Sequence, residues 1–263
     1  MMRLDKYLAE MGVGTRQEVK KQIRQGKVTV NGTVVKTADT KIDETCDEVT
    51  IGGRNISYVS YEYYMLNKPG GVVSATEDRR DTTVIDLIKD KKRKDLFPVG
   101  RLDKDTEGLL LITNDGDLAH RLLAPKKHVD KVYYAKIDGM VTEEDVKRFA
   151  EGIDIGAEEE EMTRPAKLDI MKSAEESEIR LTIHEGKFHQ VKRMFLAVGK
   201  EVTYLKRERM GTLCLDENLK PGEYRLLTEE EIEKINFYRF AKRIWKNGDG
   251  NSWILSIFPE MLM

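Results

Sequence analysis

Three segments of this 263-residue chain carry residue types that can do chemistry. The first is Val99-Gly100-Arg101-Leu102-Asp103-Lys104-Asp105-Thr106-Glu107-Gly108-Leu109-Leu110-Leu111, a charged loop bounded by glycines that runs straight into an apolar strand. Such a loop can hold a carboxylate at a cleft floor on a rigid support. The plainer alternative is a surface loop whose acids pair with Lys104 and Arg101. The second is Lys131-Val132-Tyr133-Tyr134. A tyrosine on a strand beside a basic loop can stack on a nucleobase, or it can be core, the commoner fate of a strand tyrosine. The third is Glu185-Gly186-Lys187-Phe188-His189-Gln190-Val191-Lys192-Arg193-Met194. Lys192 flanks the apolar stripe there, and a half-buried lysine requires a carboxylate partner. His184 and His189 have no third ligand nearby, so metal binding is not expected.

The elements that must position these side chains follow from periodicity. Residues 3–11 place Leu4, Leu8 and Met11 at helical spacing, and Gly12-Val13-Gly14 breaks that helix. Thr15 with Glu18 forms a capping box for a second helix, with Val19 and Ile23 on its apolar side. Val28–Val34 alternates across Asn31-Gly32, a hairpin signal. Gly52-Gly53-Arg54-Asn55 reads as a linker. Tyr61–Leu66 reads as a strand ended by Asn67-Lys68-Pro69-Gly70-Gly71, and a short helix is expected near Thr83–Lys89. Leu109–Ile112 is a buried strand, followed by a helix capped by Asp117 and ended by Pro125. Lys131–Ile137 and Ile179–Ile183 are strands. Thr142 and Asp145 box a helix that ends at Gly152, and Glu158–Glu161 is an acidic surface loop. Gln190–Val198 is a helix with Val191, Met194, Phe195 and Val198 on its apolar face, stopped by Gly199. Thr228 opens a last helix. Helices and strands are mixed without regular βαβ alternation, so the fold class expected is α+β. The division expected is a small unit over 1–54, a linker over 55–61, a larger domain over 62–235 and an extension over 236–263. That extension has Phe237, Phe240, Ala241 and Ile244 at helical spacing and a short apolar run, Trp253–Phe258.

Composition sets the outer bounds. The chain is 40% hydrophobic and 35% charged, with a mean hydropathy of -0.54, a polar globular profile rather than a disordered one. No apolar run approaches the roughly 20 residues of a membrane span, and Met1–Lys6 lacks the apolar core of a signal peptide. Cys46 and Cys214 are the only cysteines and form no CxxC, so a structural zinc has no support and a reducing cytoplasm is the simplest location. Motifs for nucleotide hydrolysis, dinucleotide redox and zinc hydrolysis are missing.

The net charge of -2 conceals separated patches. Segments 1–27, 89–104 and 184–209 each hold seven bases against three acids. In the first, Arg16, Lys20, Arg24 and Lys27 form a stripe along one face of the second helix. That stripe is either a solvated face or a set of phosphate contacts.

These segments, in this order, resemble the ribosomal pseudouridine synthases of the RsuA/RluB/RluE/RluF type. The carrying motifs are Leu66-Asn67-Lys68-Pro69-Gly70, Gly100-Arg101-Leu102-Asp103 with Thr106 and Gly108-Leu109-Leu110, Lys131-x-Tyr133, and Gly186-x-x-x-Gln190-Val191-Lys192-Arg193-Met194. Residues 3–32 resemble an S4 RNA-binding domain through Arg3-Leu4-Asp5-Lys6-Tyr7-Leu8 and Gly26-x-Val28-x-Val30-Asn31-Gly32. The likeness runs over roughly residues 2–235. Within the family it leans to the small-subunit branch, through Glu185–Phe195, Arg207-Glu208-Arg209-Met210-Gly211 and Pro221-Gly222-Glu223-Tyr224-Arg225.

The resemblance implies an S4 domain followed by a catalytic domain with a mixed, largely antiparallel sheet. It implies an isomerisation without cofactor or metal: uracil leaves C1′ of the ribose, turns, and rejoins through C5. Asp103 is then the ionised carboxylate beside the sugar and Lys192 its ion-pair partner. Tyr133 packs on the base and assists proton transfer from C5, and Arg101 holds the extruded nucleotide. Gln190, Arg193, Arg16, Lys20, Arg24 and Lys27 are the further residues expected on RNA. The implied partner is ribosomal RNA or a small-subunit assembly intermediate, with no membrane, and the implied protein is a monomer. The implied target is one uridine of 16S rRNA, at the RsuA-type site, uridine 516 in reference numbering. The alternatives are a 23S rRNA synthase of the same family and a non-catalytic S4-type RNA-binding protein. The Asp103, Tyr133 and Lys192 set argues against the second, since binding alone needs none of them. A DNA-binding regulator has less support still.

Overall fold

The computed structural model describes residues 1–124, 129–156, 159 and 161–236. The N-terminal unit starts with β1 (Met2–Arg3), α1 (Leu4–Glu10) and α2 (Arg16–Arg24), followed by β2 (Val28–Val30), β3 (Thr33–Val34), β4 (Lys41–Ile42), β5 (Val49–Ile51) and β6 (Arg54–Ile56). The expected capping box opens α2: Thr15 N donates to the Glu18 carboxylate at 2.7 Å, and Glu18 N donates back to Thr15 Oγ1 at 3.3 Å. Asn31 and Gly32, with φ of 50° and 77°, turn the β2–β3 hairpin. Leu4, Tyr7, Leu8, Val19, Ile23, Val28, Ile42 and Val49 form its core.

The linker expected at Gly52–Asn55 is instead a hairpin turn. Ile51 pairs with Arg54, and β6 completes a four-stranded sheet ordered β3-β2-β5-β6. Two consecutive glycines at positive φ suit a tight turn as well as a flexible joint, and the alternating Val49–Ile51 run before them was the signal for a strand pair.

The second unit is built on a nine-stranded sheet. Its elements are β7 (Tyr63–Lys68), α3 (Val84–Leu87), β8 (Phe97–Pro98), β9 (Glu107–Thr113), α4 (Gly116–Leu123), β10 (Lys131–Asp138), α5 (Glu143–Glu151), β11 (Lys167–Lys172), β12 (Glu176–Ile183), α6 (Gln190–Leu196), β13 (Glu201–Met210), β14 (Leu213–Cys214) and β15 (Tyr224–Leu226), with helical residues 229–236 after them. The strand order is β11-β12-β10-β13-β9-β7-β15, with β8 on β9 and β14 on β13. Only the β13–β9 pair of named strands is parallel, so the sheet is mixed and largely antiparallel, as α+β requires. One apolar cluster packs α5 and α6 on one face, through Phe149, Val191, Met194 and Phe195 against Tyr133, Ala135, Ile137 and Leu181. A second cluster packs α4 on the other face, through Leu118 and Leu122 against Met65, Leu109 and Leu111.

Three local expectations shift. The cap of α4 is Asp115, whose carboxylate accepts from Leu118 N at 2.9 Å, rather than Asp117. The strand over 63–68 continues through Asn67 and Lys68, which the Pro-Gly-Gly after them suggested as a turn. Leu196 ends α6, slightly short of Val198. The expectations for Pro125, Glu158, Glu160 and the tail 237–263 lie outside the described residues.

Candidate active site

Asp103 sits in the connection that enters β9, and the protein spends many hydrogen bonds holding that connection still. Ser74 Oγ donates to Leu102 O at 2.8 Å and accepts from Leu102 N at 3.1 Å. Thr106 N bonds Asp103 O at 3.2 Å, closing a turn, and Gly71 N donates to Lys104 O at 2.8 Å. Lys68, fully buried at the end of β7, donates to three carbonyls: Pro69 O at 3.0 Å, Lys104 O at 3.1 Å and Thr106 O at 2.8 Å. Burial pulls its ammonium down to about 8, with Asp105, Glu107 and Asp103 working the other way. Gly108 follows at φ 97°, where a Cβ would lie 2.3 Å from Arg207 O, so β9 and β13 approach closely only because no side chain intervenes.

The opposite wall comes from the start of α6. His189 caps it in the left-handed conformation, φ 48°, uncommon for a residue with a Cβ. His189 Nε2 lies 3.6 Å from Asp103 Oδ1, and Lys192 Nζ lies 3.4 Å from Asp103 Oδ2. A spacing of three residues brings both to one carboxylate. Lys192 is closer still to Asp105, at 2.6 and 2.8 Å from its two oxygens. That contact holds the Asp105 carboxyl below its ordinary range.

Tyr133 is buried in β10, in the apolar cluster that also holds Leu102 and Val191, the neighbours of Asp103 and Lys192. Its hydroxyl makes no hydrogen bond to another described residue. Directly across the ladder stands Arg207, 2% exposed, whose Nε donates to Leu109 O at 2.8 Å. Arg101 is exposed and likewise makes no ion pair or hydrogen bond to a described residue. The plain surface-loop alternative is not what forms: Lys104 pairs with Asp81 at 2.8 Å, and the loop acids face α6 instead.

Gln190 and Arg193, expected on RNA, are used inside the protein. Gln190 is 4% exposed; its Nε2 donates to Glu185 at 2.9 Å, and its Oε1 accepts from Lys187 N at 2.9 Å. Arg193 donates to Ile155 O and Phe188 O and pairs with Glu161. Both lock the turn that presents His189 and Lys192. Arg16 and Arg24 on α2, and Lys27 just past its end, are exposed and make no ion pair to a described residue, whereas Lys20 lies 3.8 Å from Asp5. His184 bonds Asp130 at 3.0 Å, away from His189. Sequence reasoning missed Asp105 and His189 as neighbours of Asp103 and Lys68 as the clamp of its loop. The signals for Lys68 were its place in the Leu66-Asn67-Lys68-Pro69-Gly70 motif and a lysine at the end of a mostly apolar strand, and neither shows which carbonyls it reaches.

This arrangement provides a carboxylate on a rigid loop, a cation and an imidazole beside it, and a buried tyrosine nearby. Comparison with known proteins agrees with the chemistry. Residues 62–197 match the model of the RNA pseudouridylate synthase family, and residues 2–49 match the S4 domain. An uncharacterized RNA pseudouridine synthase of Bacillus subtilis is 50% identical over 237 residues, covering 89% of this chain and 98% of that protein. The ribosomal small subunit pseudouridine synthase A of Vibrio vulnificus is 44% identical over 234 residues, covering 89% and 99%. A crystal structure of a pseudouridylate synthase superposes with a TM-score of 0.62 at 41% identity, covering 89% of this chain and all of that one. An Asp-bearing loop clamped against a Lys-bearing helix, behind an S4 domain, thus stands in a chain that belongs to the RNA pseudouridine synthases.

Proposed function

We propose that this enzyme converts one uridine of small-subunit (16S) ribosomal RNA to pseudouridine, at the RsuA-type site, uridine 516 in reference numbering, with Asp103 as the reacting carboxylate. The observation that carries the site is the placement of Asp103 between Lys192 and His189 on a loop fixed by Lys68. The substrate assignment is supported by the likeness to relatives named for the small subunit.

The reaction breaks the N1–C1′ bond, forms C5–C1′ and moves one proton from C5 to N1, so nothing is gained or lost overall. Asp103 either adds to C1′ or takes the proton from C2′ to give a glycal, and both routes need its ionised form. Lys192 favours that form by opposing charge. Tyr133 offers a ring to the detached base and a free hydroxyl for the proton transfer. The base must leave its stack to reach this site, and exposed Arg101 is placed to hold the extruded nucleotide's phosphate. The S4-like unit supplies phosphate contacts through α2, and the substrate is the RNA or a small-subunit assembly intermediate.

The decisive measurement is a map of pseudouridine in 16S and 23S rRNA from a deletion strain, by carbodiimide treatment and primer extension. Loss of one 16S stop, restored by the wild-type gene and not by Asp103→Asn, is the expected outcome. Loss of a 23S stop would move the substrate to the large subunit. Purified Asp103→Asn with turnover within about tenfold of wild type would remove Asp103 from the chemistry.

A further inference from the structure

Phe188 is 75% exposed, a phenylalanine ring left in solvent next to His189, the neighbour of the reacting carboxylate. A single exposed apolar residue is ordinary, so its exposure decides nothing alone. Its surroundings do. One face of the ring stacks on His189, with centroids 3.8 Å apart and planes inclined by 21°. His189 Nε2 in turn lies 3.6 Å from Asp103 Oδ1, and the residue sits at positive φ. A backbone in that region persists only where the surroundings enforce it. Here Arg193 Nη1 donates to Phe188 O at 3.2 Å, and Gln190 Oε1 accepts from Lys187 N, so the turn is pinned on both sides of the ring. The result is a preorganised tier of carboxylate, imidazole and phenyl ring, with the outer face of the phenyl ring open.

We propose that the open face of Phe188 is a stacking platform for an RNA base adjacent to the target uridine. Stacking on aromatic side chains is how proteins hold unpaired bases, since every base has a π-face. The target itself is engaged at Asp103. Its C1′ must lie within about 3.5 Å of the Asp103 carboxylate. A base on the outer face of Phe188 would lie a further ~3.5–4.0 Å beyond a ring already one layer out from His189. That spacing fits the next nucleotide along the strand. Holding a neighbour there keeps the RNA open once the uridine has been extruded, so Phe188 acts as a positioning residue.

The inference rests on Asp103 being the reacting carboxylate, and its test keeps the two separate. The assay uses any rRNA fragment the wild-type enzyme converts, with abasic sugars placed in turn on either side of the target. Phe188→Ala is expected to raise KM about tenfold, with Phe188→Tyr restoring it and Phe188→Leu failing to. With one abasic neighbour, wild type and Phe188→Ala should become equal. An unchanged KM for Phe188→Ala, full rescue by Phe188→Leu, or a deficit that persists against both abasic substrates overturns the platform. Activity in Asp103→Asn would overturn the site reading instead, whatever Phe188 does. Because Phe188 is exposed, unchanged thermal melting of each variant separates lost binding from lost folding.

Discussion

Lys192 is shared unequally between two carboxylates: its Nζ lies 2.6 Å from Asp105 Oδ1 and 3.4 Å from Asp103 Oδ2. Asp105 is the more exposed of the two, 73% against 27%. The short bonds therefore go to the acid in water, and Asp103, proposed as the acid that meets the substrate, keeps a cation close without giving up its oxygens to it. A carboxylate that must meet a sugar needs charge stabilisation and free lone pairs together, and this division supplies both.

Removing the shared cation should hurt far more than removing the competing acid. Lys192→Met leaves Asp103 without its opposing charge, and kcat should fall about 10²–10³-fold. Asp105→Asn leaves Lys192 with Asp103 and should keep kcat within about tenfold. Release of tritium from C5-labelled uridine in RNA measures both, and equal losses in the two variants would refute the division of roles.

Lys68 gives a pH-dependent prediction. Its folded value is about 8 against 10.5 for the free side chain. Between those values the unfolded chain binds more protons than the folded one, so stability contributed by this group rises with pH across that window. Lys131, buried at the edge of β10 and likewise drawn down to about 8 by desolvation, adds in the same direction. The urea midpoint of wild type should therefore gain between pH 8 and pH 10 relative to Lys68→Met. At neutral pH Lys68→Met should cost ~1–3 kcal/mol for the carbonyls it strands, and it should lower kcat by loosening the Asp103 loop. A flat difference between the two proteins across that pH range would mean that folded Lys68 keeps its proton as firmly as the unfolded chain does, against the lowered value.

The Asp103–Lys192 pair was legible because both residues stand in distinctive local spellings, and the capping boxes at Thr15 and Thr142 were legible because a cap is a local event. What sequence could not show is mostly non-local. The clamp formed by Lys68 reaches carbonyls 36 and 38 residues away. Strand β13 hid because Glu201, Lys206, Arg207, Glu208 and Arg209 erase the apolar alternation that marks a strand. Its buried Arg207 is tolerated through a bond to Leu109 O that only the folded sheet creates. Gln190 and Arg193 were assigned to RNA from their motif, yet their polar groups are spent on Glu185, Lys187, Ile155 and Glu161. A motif shows that residues matter together; which of them touch substrate depends on burial.

Arg93 joins the two units and should govern their stability as one body. It is 5% exposed and pairs with Glu10 of α1 at 3.1 Å and with Asp95, while donating to Val59 O at 3.4 Å in the connecting segment. Tyr58 of the same segment stacks on Tyr7 at 5.2 Å. Arg93→Met should cost about 1–3 kcal/mol, the order for removing charged hydrogen bonds whose acceptors, Glu10 and Asp95, stay accessible to water. It should also expose residues 57–62 to protease while the catalytic domain stays intact. Equal cleavage rates in wild type and variant would mean that Arg93 does not hold the units together.

The basic stripe along α2 and just past its end predicts a graded salt dependence. Arg16, Arg24 and Lys27 are exposed and make no ion pair to a described residue, so all of their charge is available to phosphates. Lys20 lies 3.8 Å from Asp5, itself held by Arg3 at 2.9 and 3.0 Å, so part of its charge is already answered. Each phosphate contact releases counterions and adds about 0.7–0.9 to the slope of log K against log salt. Reversing Arg16, Arg24 and Lys27 together should flatten that slope by ~2–3 and weaken binding to all RNAs alike, because phosphate contacts carry no sequence information. Reversing Lys20 alone should flatten it less than reversing Lys27 alone. Anisotropy titrations of labelled rRNA between ~50 and ~200 mM salt would measure this. A slope unmoved by the triple reversal would make the stripe a solvated face and shift RNA anchoring to Arg101 and the surface around Asp103.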